Sequence, residues 1–143
     1  MPQTEKVLKI ARTSIDEALR GNTKWLPVLD EDWMRANQGA FTTIYIQDSS
    51  EKRLRGCIGL PFPVQEAGKA VAISARKSAL EDPRFPKLKL SELDRTVISV
   101  ELLSDYTKLE WTSIEELKDQ IELGTHGLRL KFKFSSDVHS NLV

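Results

Sequence analysis

The chain has 143 residues and no formal net charge, because 21 lysines and arginines balance 21 aspartates and glutamates. This balance argues against a protein that binds mainly by neutralising phosphates, and no apolar run approaches the roughly 20 residues that span a bilayer. A single cysteine excludes an internal disulfide and, with a start that lacks the apolar core of a signal peptide, predicts one soluble cytoplasmic domain over residues 1–143.

The first part of the chain predicts a helix followed by a β-hairpin. Apolar and small residues recur at three- and four-residue steps over residues 7–18, and the pair at 21–22 is Gly-Asn, a left-handed helix stop. The β-branched and aromatic run at 41–47 is typical of a strand. A turn at 48–51 then leads into a returning strand at 53–58.

The second part predicts two more helices and two more strands. A helix with a small-residue inner face is expected over 64–80, and an alternating strand over 96–103. Ser113 opens a capping box whose helix ends near Gly124, and residues 128–134 alternate between apolar and basic. Together these elements predict an α+β fold with a mixed or antiparallel sheet covered by helices.

The stretch Arg-Leu-Arg-Gly-Cys-Ile-Gly at 53–59 is the most unusual of the chain. A strand requires neither of its glycines, which are expected where another group approaches the backbone closely. If strand alternation holds, Leu54, Gly56 and Ile58 share one face, and Arg55 and Cys57 share the other. A guanidinium beside a thiol favours the reactive thiolate, which predicts a nucleophile, a redox-sensitive thiol or a soft metal ligand. The alternative is a buried cysteine that packs as a small hydrophobe.

The segment Glu-Asp-Pro-Arg-Phe-Pro at 81–86 follows the predicted long helix. Its prolines fix the backbone of the helix exit. Asp82 and Arg84 pair with each other, hold a neighbouring strand, or contact an anionic ligand, and the residue types alone leave these three interpretations open.

The segment Gly-Thr-His-Gly at 124–127 contains one of the two histidines. A cysteine and a histidine from separate segments form a nucleophile and base pair in papain-like proteases, so His126 is a candidate base for Cys57. A turn histidine that is hydrogen-bonded to backbone is the alternative.

Other kinds of site have less support. The chain contains neither a phosphate-binding Walker loop nor a dinucleotide fingerprint, and its cysteine and histidines lack the spacing of a zinc site, so no metal site and no particular cofactor are predicted. A modest basic strip keeps RNA as a minor alternative. Its members are Lys87, Lys89, Arg129, Lys131 and Lys133.

Several of these segments resemble one known family. Leu-Arg-Gly-Cys-Ile-Gly at 54–59 is similar to the hallmark hexapeptide of the AMMECR family, named for the AMME syndrome candidate gene 1 protein. The segments at 78–86, 98–104 and 124–128 are similar to further family signatures in the family's order. The resemblance covers roughly residues 7–131.

The resemblance implies a mixed sheet flanked by helices, in two lobes with a groove between them. It assigns no substrate. It points to an enzymatic or nucleic-acid-linked role, or to a redox, metal or modification pathway. Family members continue beyond the His-Gly-Leu signature with a segment that this chain lacks after about residue 134. We expect such a loss to leave apolar surface that a homodimer covers.

Three hypotheses about function remain open. In the first, an enzyme or modification factor uses Cys57 as the reactive thiol, Arg55 as its activator and His126 as a base. The predicted contacts to a polar substrate are Arg55, Gly56, Gly59, Asp82 and Arg84. In the second, the groove is a non-catalytic binding module for a protein, a nucleotide or RNA, and in the third these signatures only hold the fold together.

Overall fold

The computed structural model describes residues 3–130, and these divide into two compact units. The first unit ends at Tyr106 and the second begins at Thr107. The elements of the first unit are the helices α1 (Gln3–Leu19), α2 (Asp32–Arg35) and α3 (Ala67–Leu80), the strands β1 (Ala40–Asp48), β2 (Glu51–Leu60) and β3 (Thr96–Leu102), and a 3₁₀ helix at Leu90–Arg95. The second unit contains the helix α4 (Ile114–Asp119).

The first unit is a three-stranded antiparallel sheet with helices on one face. The strand order is β2-β1-β3, so that β1 is central and the other two strands form the edges. Alternate residues of β1, from Ala40 to Ile46, are buried against the helices α1 and α3. This arrangement confirms the predicted α+β class, with antiparallel pairing throughout the described sheet. The groove between two lobes stays a prediction.

Small and hydroxyl-bearing residues let α3 lie close to the sheet and to α1. Ser74 on α3 and Thr42 on β1 share a hydrogen bond of 2.7 Å between their hydroxyl oxygens, and both side chains are fully buried. The Ser14 hydroxyl on α1 donates to the Ala72 carbonyl at 2.6 Å. Each buried hydroxyl therefore has a partner, as burial of a polar group requires.

The predicted hairpin is confirmed, with β1 and β2 joined at Ser49 and Ser50. The predicted alternation along β2 is wrong in one place. Ile44 faces Gly56 whereas its neighbour Tyr45 faces Leu54, so Arg55 is the extra residue of a β-bulge. Because the bulge reverses the pleat, Leu54 and Gly56 lie on opposite faces rather than on the same face.

The first helix is confirmed by its buried stripe and by a φ of 98° at Gly21, directly after its end. The helix predicted from residue 64 begins three residues later. Asn37 forms a β-bridge with Glu66, and the Ala67 amide donates to the Ala36 carbonyl at 2.8 Å. These contacts hold the chain extended up to Glu66, which is why the helix starts at Ala67.

In the second unit, Ser113 caps α4 as expected, since its hydroxyl accepts a hydrogen bond from the Glu116 amide at 3.2 Å. The helix ends at Asp119 rather than near Gly124. The first residues of the strand predicted over 128–134 are irregular, and residues 131–134 lie outside the described part of the chain.

Candidate functional site

Cys57 lies on the edge strand β2, on the face of the sheet opposite the helices α1 and α3. It pairs with Thr43 of β1, and its Sγ lies 3.3 Å from the Thr43 hydroxyl oxygen, at hydrogen-bonding distance. The residue is half-buried and unoxidised. The thiol is therefore neither sealed in the core nor fully exposed.

The loop after α3 holds the backbone of Cys57 from the outer edge of β2. The Cys57 amide donates to Asp82 Oδ2 at 2.8 Å, and its carbonyl accepts from Arg84 Nη2 at 3.3 Å. Arg84 also donates to both oxygens of Asp82, from Nε at 3.0 Å and from Nη2 at 2.8 Å. The two residues thus pair with each other and hold the neighbouring strand at once.

The environment of Asp82 keeps it charged. Its side chain is 2% exposed, and the hydrogen bonds from Arg84 hold the pKa of the carboxyl far below its usual range despite the burial. The amide of Cys57 lowers that pKa further. In turn Asp82 raises the pKa of Arg84, and the nearby Cys57 side chain adds to the rise. Asp82 therefore holds the Arg84 cation against the backbone of Cys57.

Arg55, the predicted activator, is engaged elsewhere. Its Nε and Nη2 form a bidentate pair with Glu92 at 3.0 and 3.1 Å, and its Nη1 donates to the Pro86 carbonyl at 2.7 Å. The guanidinium lowers the pKa of Glu92 below its usual range. The bulge thus turns Arg55 toward the segment after α3, where it fastens the hairpin to the 3₁₀ helix.

The two glycines of the motif have packing partners within the first unit. A Cβ at Gly56 would lie 2.1 Å from the Ser78 carbonyl oxygen on α3, so only a glycine lets this helix approach β2 so closely. A Cβ at Gly59 would lie 2.1 Å from the ring of Phe41 on the neighbouring strand. Both positions therefore have a structural reason for glycine, and their predicted contact with a substrate stays a prediction.

His126 lies in the second unit, in the turn that follows α4. Its Nδ1 accepts a hydrogen bond from the Glu122 amide at 3.1 Å, and its own amide donates to the Glu122 carbonyl at 3.0 Å. This is the backbone-bonded turn that was the alternative interpretation. The pairing of His126 with Cys57 stays a prediction.

Sequence reasoning missed two residues that shape the site. Ser78 accepts a hydrogen bond from the Ile58 amide at 2.8 Å and donates to the Thr42 carbonyl at 2.7 Å, which ties α3 to both strands of the hairpin. Glu92 binds Arg55 from 37 positions away. The spacing of Ser78 on the small-residue face of α3 is a signal that points to a sheet contact, whereas no local pattern marks Glu92.

Two features are absent from the described residues, a metal-binding cluster and a membrane-spanning helix. Within residues 3–130, no three histidine, cysteine, aspartate or glutamate side chains cluster closely enough to hold a metal ion. No helix in the same range is long and apolar enough to cross a membrane.

The fold and the site define an α+β domain in which an edge strand presents a thiol and a helix-exit loop anchors it. The family model AMMECR1 matches residues 8–139, which is most of the chain. The protein belongs to the AMMECR1 family, and the resemblance drawn from its sequence motifs is confirmed.

Relatives support the same conclusion. A protein from Nanoarchaeum equitans is 37% identical over 123 residues, which cover 86% of this chain and 67% of that protein. One from Aquifex aeolicus is 35% identical over 123 residues, or 86% of this chain and 62% of the relative. The crystal structure of an uncharacterised protein from Pyrococcus horikoshii superposes with a TM-score of 0.65 at 34% identity, over 71% of this chain and 51% of that one. The chain therefore spans about half to two thirds of the length of these relatives.

Proposed function

We propose that the protein is an enzyme or modification factor that works through the Cys57 thiol. The observation that carries this proposal is the half-buried thiol on the sheet face opposite the helices, with its backbone fixed on both sides by the loop after α3. A fixed backbone reduces the freedom of the thiol and favours a single geometry for an incoming group. The cytoplasm is the location that keeps such a thiol reduced.

The activating cation in this proposal is Arg84 rather than Arg55. Arg84 contacts the Cys57 carbonyl, and its side chain is 56% exposed. Within the described part of the first unit its Nη1 makes no hydrogen bond, so it is a donor that a substrate can use. A polar or anionic group of the substrate fits this position.

A non-catalytic binding module is the second candidate, and one observation favours it. The described hydrogen-bond partner of the Cys57 thiol is the Thr43 hydroxyl, which is not a base at neutral pH. Asp82 is committed to the Cys57 amide and to Arg84. Within the described part of the first unit, the site thus has a thiol and a cation without a dedicated proton acceptor.

The rate at which iodoacetamide alkylates the native protein tests the proposal, because Cys57 is the single thiol. We expect native alkylation at neutral pH, slowed roughly three- to tenfold in Arg84→Met, since the cation that favours the thiolate is lost. Arg55→Met is the matched control and should label at nearly the wild-type rate, because Arg55 is bound to Glu92. Arg84→Lys keeps the charge and should recover part of the rate.

Two results would contradict the thiol mechanism. Labelling that requires unfolding by urea would show that reagents do not reach Cys57 in the native state. Equal rates in Arg84→Met and Arg55→Met, with both variants folded by circular dichroism, would remove the activating role of Arg84 and favour the binding module.

A further inference from the structure

The two edges of the sheet differ in whether their outward-pointing backbone groups are hydrogen-bonded. Along the outer edge of β2, the amide and carbonyl of Cys57 are bonded to Asp82 and Arg84. Along β3 the register with β1 is continuous, without a bulge, and the strand contains no lysine and no proline. Lysine, proline and bulges are the usual devices that prevent an edge strand from pairing with another molecule. The edge of β3 lacks all three.

The backbone groups at this edge follow from the ladder with β1. The Leu103 amide donates to the Gly39 carbonyl at 2.9 Å, and antiparallel pairing then directs the amide and carbonyl groups of every second residue toward β1. The residues between them, Ile98, Val100 and Leu102, direct theirs away from β1. Within the described part of the first unit, no residue forms a hydrogen bond to these groups.

One end of the edge is already satisfied. The Thr96 carbonyl accepts from Arg12 Nη2 at 2.7 Å, and the Thr96 amide donates to the Leu93 carbonyl. The unsatisfied groups are therefore confined to a segment of five residues centred on Val100. A short segment with a defined centre limits the possible registers of an added strand.

A cleft lined by four aliphatic side chains and by Gln3 and Thr4 accompanies this segment on the helix side of the sheet. Its volume is about 180 Å³. Val7 and Leu8 of α1 line it together with Val100 and Leu102 of β3, and Leu8 is 37% exposed. A strand added at the edge would continue the sheet across this cleft and cover apolar surface as well as backbone groups.

We propose that β3 pairs with β3 of a second copy of this chain, antiparallel and about a two-fold axis at Val100. This register joins Ile98 to Leu102 of the second copy and Val100 to its own counterpart, which satisfies all three residues in both copies. Such a contact is isologous and closes after two copies, in the way that most soluble oligomers do. The result is a continuous six-stranded sheet.

The charges of β3 agree with a second copy in this register. On the face opposite the helices, Glu101 of one copy lies across from the neutral Ser99 of the other, so that no like charges meet. On the helix side, only aliphatic side chains face one another. A second copy in this register therefore brings no like charges together and pairs aliphatic with aliphatic side chains.

Sedimentation equilibrium of the full chain tests the proposal, with two opposite substitutions at Ser99. Ser99→Glu places a carboxylate across from Glu101 of the second copy, and Ser99→Lys places an ammonium there. Two symmetry-related pairs change in each dimer, so the dimer dissociation constant should rise roughly two- to thirtyfold in Ser99→Glu and fall by a similar factor in Ser99→Lys. Within its own sheet Ser99 pairs with Thr43, which is neutral in both variants.

Val100→Pro is the second variant. The Val100 amide points away from β1, so proline removes a bond between copies and none of the ladder within the sheet. We expect this variant to be monomeric while its circular dichroism spectrum matches that of the wild type. Val28→Pro, at an exposed and irregular position, is the matched control and should dimerise like the wild type.

Three results would overturn the proposal. One is a wild-type chain that is monomeric throughout the micromolar range. Another is a change of the same sign in Ser99→Glu and Ser99→Lys. The third is protection of the Val100 amide from hydrogen exchange that does not depend on protein concentration, because the edge is then satisfied without a second copy.

Discussion

At the scale of single residues, the motif at 54–59 divides into supporting positions and one presented side chain. Gly56 allows the backbone of β2 to touch α3, and Arg55 fastens the bulge to Glu92. These contacts leave Cys57 half-buried, with its side chain on the sheet face opposite the helices. The unusual composition of the motif therefore serves packing, and the chemistry that we propose depends on one thiol.

Substitution of the motif glycines should have unequal effects on stability. In Gly56→Ala the new Cβ meets backbone, which does not yield, so the free energy of unfolding should fall by about 3 kcal/mol. In Gly59→Ala it meets the Phe41 ring, a side chain that turns aside, so we expect a loss of about 1 kcal/mol. Urea unfolding measures both.

Gly127→Ala is the control for these two variants, because its Cβ would have no neighbour within 4 Å. Its free energy of unfolding should stay within about 0.5 kcal/mol of the wild type. A loss in Gly56→Ala no larger than in this control would show that α3 is not in close contact with β2.

At the scale of elements, the decisive contact is the one between the end of α3 and the edge of β2. Ser78 on the helix and Asp82 just after it both accept hydrogen bonds from β2 amides, at 2.8 Å each. The Asp82 carboxylate thus takes the place of a further strand at this edge, whereas the Ser78 hydroxyl bridges β2 and β1 by also donating to the Thr42 carbonyl. The charge of Asp82 holds the loop after α3 against β2. The free energy of unfolding should therefore depend on pH.

Asp82→Asn should lower the free energy of unfolding by about 2 kcal/mol at neutral pH, because Arg84 and the Cys57 amide lose a charged acceptor. The pKa of Asp82 is lowered in the folded state, so its contribution is complete above the unfolded pKa of about 4 and declines progressively as the pH falls from there toward the lower folded pKa. The difference between wild type and Asp82→Asn in urea unfolding should therefore narrow below this pH.

The fully exposed Asp32 supplies a control of the same substitution type. Asp32→Asn should leave the free energy of unfolding nearly unchanged at neutral pH. A difference between wild type and Asp82→Asn that stays constant from pH 7 to pH 3 would contradict a carboxylate held ionised by Arg84.

At the scale of the whole molecule, the hydrophobic core belongs to the first unit. Every residue of its central cluster lies between Val7 and Leu88, and the partly buried residues around it extend to Leu102. Near the end of the unit, the Tyr106 hydroxyl donates to the Pro61 carbonyl, and the Tyr106 ring packs edge-on against Phe62. A single core with its own closing contacts is what a chain needs in order to fold alone.

A fragment of residues 1–106 should accordingly fold without the rest of the chain. We expect a single cooperative thermal transition by circular dichroism, with a free energy of unfolding of about 5 kcal/mol or more. A fragment 1–80, which lacks β3 and the Asp82 loop, is the comparison and should not fold cooperatively. A broad, non-cooperative melt of the longer fragment would contradict the assignment of the core to the first unit.

Much of the fold could be predicted because it is encoded locally. The stripe of α1, the β-branched run of β1 and the capping box at Ser113 each depend on residues a few positions apart, which the sequence displays directly. The same is true of the motif at 54–59, which marked Cys57 and the family. The start of α3 and the irregular conformation at 128–130 escaped prediction, since a bridge from Asn37 decides the first and no local pattern indicates the second.

By itself, then, the sequence determined the class of fold, the family and the strand on which the thiol lies. The tertiary structure alone decided which arginine contacts Cys57, because a one-residue bulge at Arg55 reverses the pleat and sends its guanidinium to Glu92. It also decided which sheet edge is closed, since Asp82 and Arg84 reach Cys57 across 25 and 27 positions of chain. Strand register and long-range hydrogen bonds depend on how distant segments pack together, and the periodicity within one segment does not specify that packing.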